Sequence, residues 1–116
     1  FMLLSAIALL AQAAQPAPLA TDPLTKDLHC LAATSALAGV PEADEGTKQG
    51  ALVLATYYLG RIDGRAPNLD LGARLRQEQP KLEAMDMETL LKSCAAEAQA
   101  RMDAVQKIGE QETAGK

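Results

Sequence analysis

Past Phe1 the chain has no phenylalanine and no tryptophan, and its only other aromatic side chains are the adjacent Tyr57 and Tyr58. A core of Leu, Ala, Val, Ile and Met buries less area per residue than one with aromatic rings, so such a domain needs a second source of stability. Two cysteines, Cys30 and Cys94, supply it in an oxidising compartment, because two cysteines allow a single internal pairing. The bridge would close a loop of roughly 64 residues and contribute about 4 kcal/mol in the chain-entropy account. That is a large share of the ~5–15 kcal/mol net stability of an ordinary domain.

The first twenty residues, FMLLSAIALLAQAAQPAPLA, point to that compartment: they carry no charge, and the run from Phe1 to Ala11 is almost purely apolar. Small residues and prolines follow, as in a secretory signal peptide. Ala11-Gln12-Ala13 satisfies the small-x-small rule for cleavage, whereas Pro18-Leu19-Ala20 puts a proline where the first small residue belongs. Cleavage is therefore expected after Ala13, with Pro16 and Pro18 left in an extended spacer. No basic residue precedes the apolar run and the chain begins with Phe, which implies further sequence upstream. The run is shorter than the ~20 apolar residues of a spanning helix, and no cysteine before Cys30 is available to carry a lipid. The expectation is a periplasmic or secreted protein without a stable membrane anchor after cleavage. It is divided into a signal peptide and Pro/Ala spacer at 1–20, a helical domain at 21–109 and a frayed tail at 110–116. About a hundred residues suffice for one domain. Its 11 basic and 15 acidic side chains all lie beyond position 21 and give a net charge of −4, which argues against nucleic acid or an anionic membrane as partner.

Helix signals punctuate the rest of the chain. Thr21 or Asp22 caps and Pro23 opens a first helix over about 23–38, closed by Gly39 and Pro41. Asp44 or Glu42 stands at the start of a second, over about 43–63, with Leu52, Ala55, Leu59 and Ile62 as its apolar stripe. A strand over ALVLATYYL is the competing reading, but no second convincing strand exists to pair with it. Asn68 and Asp70 cap a short third helix with Leu71 and Leu75 on one side, ended by Pro80. Asp86 opens the longest, in which Met87, Leu91, Cys94, Ala98, Met102, Val105 and Ile108 follow steps of three and four as one inward face. The fold expected is all-α: a small bundle of three long helices and one short, stapled from its first helix to its last, with the second and third packed between.

The stretch YYLGRIDGR, residues 57–65, has two readings. Gly60 and Gly64 fall on one side of the helix, as do Gly46 and Gly50, which permits close approach of another helix, and Gly64 also suits a left-handed helix end. Alternatively Tyr57, Arg61 and Arg65 form a ridge at successive turns, with Tyr58 beside it, presenting two guanidinium groups to a carboxylate or phosphate. Asp63 is then the local group placed to neutralise one arginine. Tyr57, Tyr58, Arg61, Asp63 and Arg65 are the candidate binding residues.

Catalytic groups are scarce. His29 is the single histidine, adjacent Cys30 is expected to be oxidised, and neighbouring helical residues do not face each other. Ser35 and Ser93 are the mature chain's serines, with no second histidine to serve them. One His and two Cys match no zinc pattern. Met85, Met87 and Met102, soft ligands that suit copper, read better as core filler. No catalytic residue, metal or cofactor is expected.

LHCLAATSAL, YYLGRIDGR and LLKSCAAEAQARM, within Leu24 to Gly109, give the chain a resemblance to a group of small secreted alphaproteobacterial helical proteins of unassigned function. More distantly it resembles the HdeA-type periplasmic acid-stress chaperones, small helical proteins held by a single disulfide. The first resemblance implies no catalytic residues. The second implies a protein that loosens in acid and coats unfolding clients. Protonating the carboxylates near pH 2 would turn the net charge from −4 to about +12 and drive self-repulsion. The function expected is non-enzymatic: binding of a protein partner in the periplasm or of a small anionic ligand, with acid-stress chaperoning or an immunity or inhibitor role as alternatives.

Overall fold

The computed structural model describes residues 15–115, which form four helices and no strand: α1 Pro23–Ala38, α2 Glu45–Arg65, α3 Leu71–Glu83 and α4 Met87–Ala114. The apolar run read as a signal peptide, with its cleavage point at Ala13, lies outside the described residues. No described helix is long and apolar enough to cross a membrane.

Each of these four helices begins at an aspartate. Asp22, Asp44, Asp70 and Asp86 sit in extended backbone, and each carboxylate accepts the backbone N–H of the residue three further on. At three of them that residue is a threonine, Thr25, Thr47 or Thr89, whose hydroxyl donates to the same carboxylate. The backbone and hydroxyl bonds from these threonines hold the carboxyls of Asp22, Asp44 and Asp86 below the usual aspartate range.

α1 is the hub. Its residues Asp27, Leu28, His29, Cys30 and Leu31 are buried in succession, with Ala33 and Thr34 after them. A helix buried on every side has neighbours on every side, and α1 packs on α2, α3 and α4. The Cys30–Cys94 cystine is formed, with a Cα–Cα distance of 5.6 Å and no exposure at either sulfur-bearing residue. It therefore joins two helices in direct contact; α2 and α3 flank α1 and are not interposed between α1 and α4, as the sequence reading had placed them.

The other departures have separate causes. α2 turns Ala51, Ala55, Tyr58 and Ile62 inward and leaves Leu52 58 % and Leu59 37 % exposed, a rotation away from the expected stripe. Tyr58 sets that rotation: it has the largest fully buried side chain, and its hydroxyl donates to the Cys94 carbonyl at 2.6 Å. The glycines of α2 have no left-handed backbone, and a Cβ at Gly50, Gly60 or Gly64 would meet nothing within 4 Å. Close approach at these three is thus not used inside the chain, and α2 runs through Gly64 to Arg65. Pro80 lies inside α3 instead of ending it. The backbone bond it forfeits would reach the carbonyl of Arg76, and both residues lie on the exposed side of the helix. α4 buries Leu90, Cys94 and Ala98 and then overruns the bundle. At ~1.5 Å per residue it is about 42 Å long against about 24 Å for α1. Helical bonding continues through Ala114, where a frayed tail had been expected from 110; bonds such as Gln99 to Asp103 and Thr113 to the Gly109 carbonyl brace this stretch.

The residues read as a spacer are docked. The backbone N–H of Ala17 donates to the Ala84 carbonyl at 2.8 Å, Ala17 pairs with Met85 as a parallel β-bridge, and Leu19 packs on the core. This strap crosses the end of α3.

Candidate functional site

Two polar centres flank α1, and they differ in kind. The first gathers the residues singled out in the sequence. Arg61 and Arg65, one turn apart on α2, both donate through Nε to Oδ2 of Asp27, at 3.2 and 3.1 Å. Asp27 Oδ1 lies 3.2 Å from Arg61 Nε as an ion pair without hydrogen-bond geometry. Arg61 also donates to the Tyr57 hydroxyl at 2.9 Å and approaches Glu97 of α4 at 3.5 Å, and Lys26 meets Glu97 at 2.9 Å. Burial works against the Arg61 charge, but the bonds to Tyr57 and Asp27 and the charge of Asp27 outweigh it and raise its pKa.

The ridge of Tyr57, Arg61 and Arg65 therefore exists, yet its guanidinium groups already hold a carboxylate that is 1 % exposed. An incoming anion would have to displace Asp27 from them. The neutralising acid is Asp27 of α1, not Asp63, which is exposed and forms no ion pair among the described residues. Tyr58 lies in the core, edge-on to Tyr57 with ring centroids 4.9 Å apart, and burial, aided by the nearby Glu97 charge, raises its pKa well above the ordinary value. Asp27 was missed in the sequence reading although it carried a signal: it stands among Leu24, Leu28 and Leu31, a charge on the apolar face of its own helix.

The second centre is a cavity of about 690 Å³ between the strap, α1 and the end of α3. Ala17, Pro18, Leu19, Ala20, Pro80, Ala84 and Met85 give it apolar walls, and Thr21, Thr25, His29 and Lys81 supply the polar groups. His29 is 1 % exposed; its Nδ1 has no hydrogen-bond partner, and its Nε2 has a single long contact. Its Nε2 lies 3.4 Å from Oε1 of Glu78, itself 2 % exposed, and the other oxygen of Glu78 lies 3.4 Å from the Lys81 ammonium. Burial pushes the imidazole below its usual pKa against the opposing pull of Glu78, so the ring is neutral at neutral pH and the contact with Glu78 is not a full salt bridge. A neutral imidazole offers one donor and one acceptor. Among the described residues no group of three or more His, Cys, Asp or Glu side chains is placed to share a metal ion.

The buried His29 has a consequence for stability. Its folded pKa lies below the unfolded value near 6.5, so below that pH the unfolded chain binds the proton that the folded chain resists. Stability is full above pH ~6.5 and falls as pH drops towards the folded pKa, with a slope of up to about 1.4 kcal/mol per pH unit. Urea unfolding between pH 8 and pH 5 measures it. His29→Gln should flatten this window while leaving the loss below pH ~4, which belongs to the capping aspartates.

No protein-family model, curated protein or solved structure matches this chain, so its own geometry carries the functional reading.

Proposed function

We propose that this is an exported, non-enzymatic binding protein whose strap cavity holds a small amphipathic molecule with an apolar body and an acidic head. The carrying observation is His29, a buried imidazole on the cavity wall whose Nδ1 has no partner and whose Nε2 has only the 3.4 Å contact with Glu78. Buried polar groups are ordinarily hydrogen-bonded, and one left open beside a cavity is placed to bond a molecule held there. The cavity volume falls in the range of small-molecule sites, about 300–1,000 Å³, and its mixture of apolar walls with few polar groups is the usual one. Lys81, 65 % exposed and held to Glu78 only at 3.4 Å, supplies positive charge for an acidic head, and His29 Nδ1 a hydrogen bond for one of its oxygens. Binding without turnover is supported by the shortage of nucleophiles, since both cysteines lie in the cystine.

Export is part of this reading. Cleavage after Ala13 would leave the strap in place, whereas cleavage after Ala20 would remove Ala17 and its bond to Ala84.

Titrating the exported protein with dansyl-undecanoic acid should give saturable binding at one molecule per chain. Lys81→Ala should weaken it about tenfold, as expected for a lost charge-assisted contact, and Ala84→Phe, which fills the cavity wall, should abolish it. The corresponding dansylated alcohol should bind the parent protein more weakly than the acid. No saturable binding, or binding that Ala84→Phe leaves unchanged, would remove the proposal.

One observation favours acid-stress chaperoning as a second reading. Asp27, His29 and Glu78 are all buried in or against the hub helix, and the folded chain resists the proton that His29 takes up when acid unfolds it. Suppression of client aggregation near pH 2 would support it; its absence there would remove it.

A further inference from the structure

We propose that the overhanging part of α4 pairs antiparallel with the same segment of a second copy of this chain. Past Ala98, which is fully buried, the apolar stripe continues through Met102, Val105 and Ile108, exposed by 40, 66 and 58 %. The stripe lies on the side of α4 that faces α1 and α2 lower down; Met102 and Val105 border a hollow beside Tyr57 of α2, and Ile108 carries the face further.

Charge placement identifies the partner. Arg101 and Glu112 are eleven residues apart, close to three turns, so they lie along the same side of the stripe. Their midpoint falls between residues 106 and 107, as does the midpoint of Val105 and Ile108. A two-fold axis through that point sets Val105 against Ile108 of the partner copy and Arg101 against its Glu112, each contact occurring twice. Among the described residues neither Arg101 nor Glu112 has an ion-pair partner within the chain. The other charges of the segment, Asp103, Lys107 and Glu110, lie on the opposite face of the helix, away from this contact. Antiparallel pairing also places opposite helix dipole ends side by side. A contact two helical arms wide buries less than the ~1,600 Å² of a standard interface, so the dimer is a weak, concentration-dependent one.

Sedimentation equilibrium of the exported protein from micromolar to millimolar concentration tests this. The parent should pass from monomer to dimer, and Val105→Glu should remain monomeric with unchanged helical circular dichroism. Arg101→Glu and Glu112→Arg should each weaken association about tenfold, and the two together should restore it, since the swapped charges again meet. A parent that stays monomeric throughout, association unaffected by Val105→Glu, or a double variant no tighter than the weaker single would each overturn the proposal.

Discussion

Replacing Cys30 and Cys94 together with alanine lowers the unfolding free energy by about 4 kcal/mol, the chain-entropy value for the loop of 64 residues between them. Two features of the fold keep the loss from falling below that value. The cystine is fully buried in one cluster with Leu28, Tyr58, Ile62 and Leu90, so two alanines leave a void in a core that has one large aromatic ring to fill it. The tie also holds α4 on α1 beside the point where Tyr58 donates to the Cys94 carbonyl, so slack there loosens that bond. Against this stands a net stability of about 5–15 kcal/mol for a domain of ordinary size. Paired urea titrations of the parent and the double variant measure the difference directly. A loss under about 1 kcal/mol would mean that packing alone sets α1 against α4. Because neither half of the cystine is exposed, mild reductant should leave it intact in the native protein and cleave it once urea opens the fold.

What could be read from the sequence was what depends on neighbours in sequence. Asp22 before Pro23, Asp44, Asp70 and Asp86 mark helix starts because capping is a contact over three residues, and each stands at its cap. The cystine was legible for another reason, since two cysteines have one partner each. The rotation of α2 was not legible. A stripe of Leu52, Ala55, Leu59 and Ile62 and one of Ala51, Ala55, Tyr58 and Ile62 differ by less than a quarter turn, and contacts with other helices, Tyr58 to Cys94 of α4 and Arg61 and Arg65 to Asp27 of α1, select the second. The overrun of α4 was hidden likewise: an apolar stripe shows that a face wants cover, not that the bundle ends before the stripe does. The cavity could not be found from local pattern at all, because its walls come from the strap, α1 and α3. His29 and Glu78 lie 49 positions apart, with no motif between them.

Removing both arginines, Arg61→Ala with Arg65→Ala, destabilises the protein by about 3–5 kcal/mol, because it strands the buried Asp27 carboxylate without a cation. The expected effect is asymmetric. Asp27 is 1 % exposed, whereas the side chains of Arg61 and Arg65 are 25 % and 43 % exposed. Asp27→Asn leaves two guanidinium groups that already touch water, and Arg61 keeps Tyr57 and Glu97 as partners, so this change costs far less than the double arginine replacement. Adding Asp27→Asn to the double alanine variant should recover most of the loss, since the amide carries no charge to strand. Urea unfolding of the four proteins closes the cycle and isolates the coupling between the carboxylate and its two cations. The same cycle decides what YYLGRIDGR is for. A ridge that serves chiefly to grip an external anion would tolerate alanine with little change in stability and lose only ligand, whereas a ridge that holds Asp27 in the hub helix cannot be removed without loosening α1 from α2. An arginine pair that could be deleted for less than about 1 kcal/mol, the range of exposed ion pairs, would return these residues to the surface as a binding site and leave Asp27 without a reason to be buried.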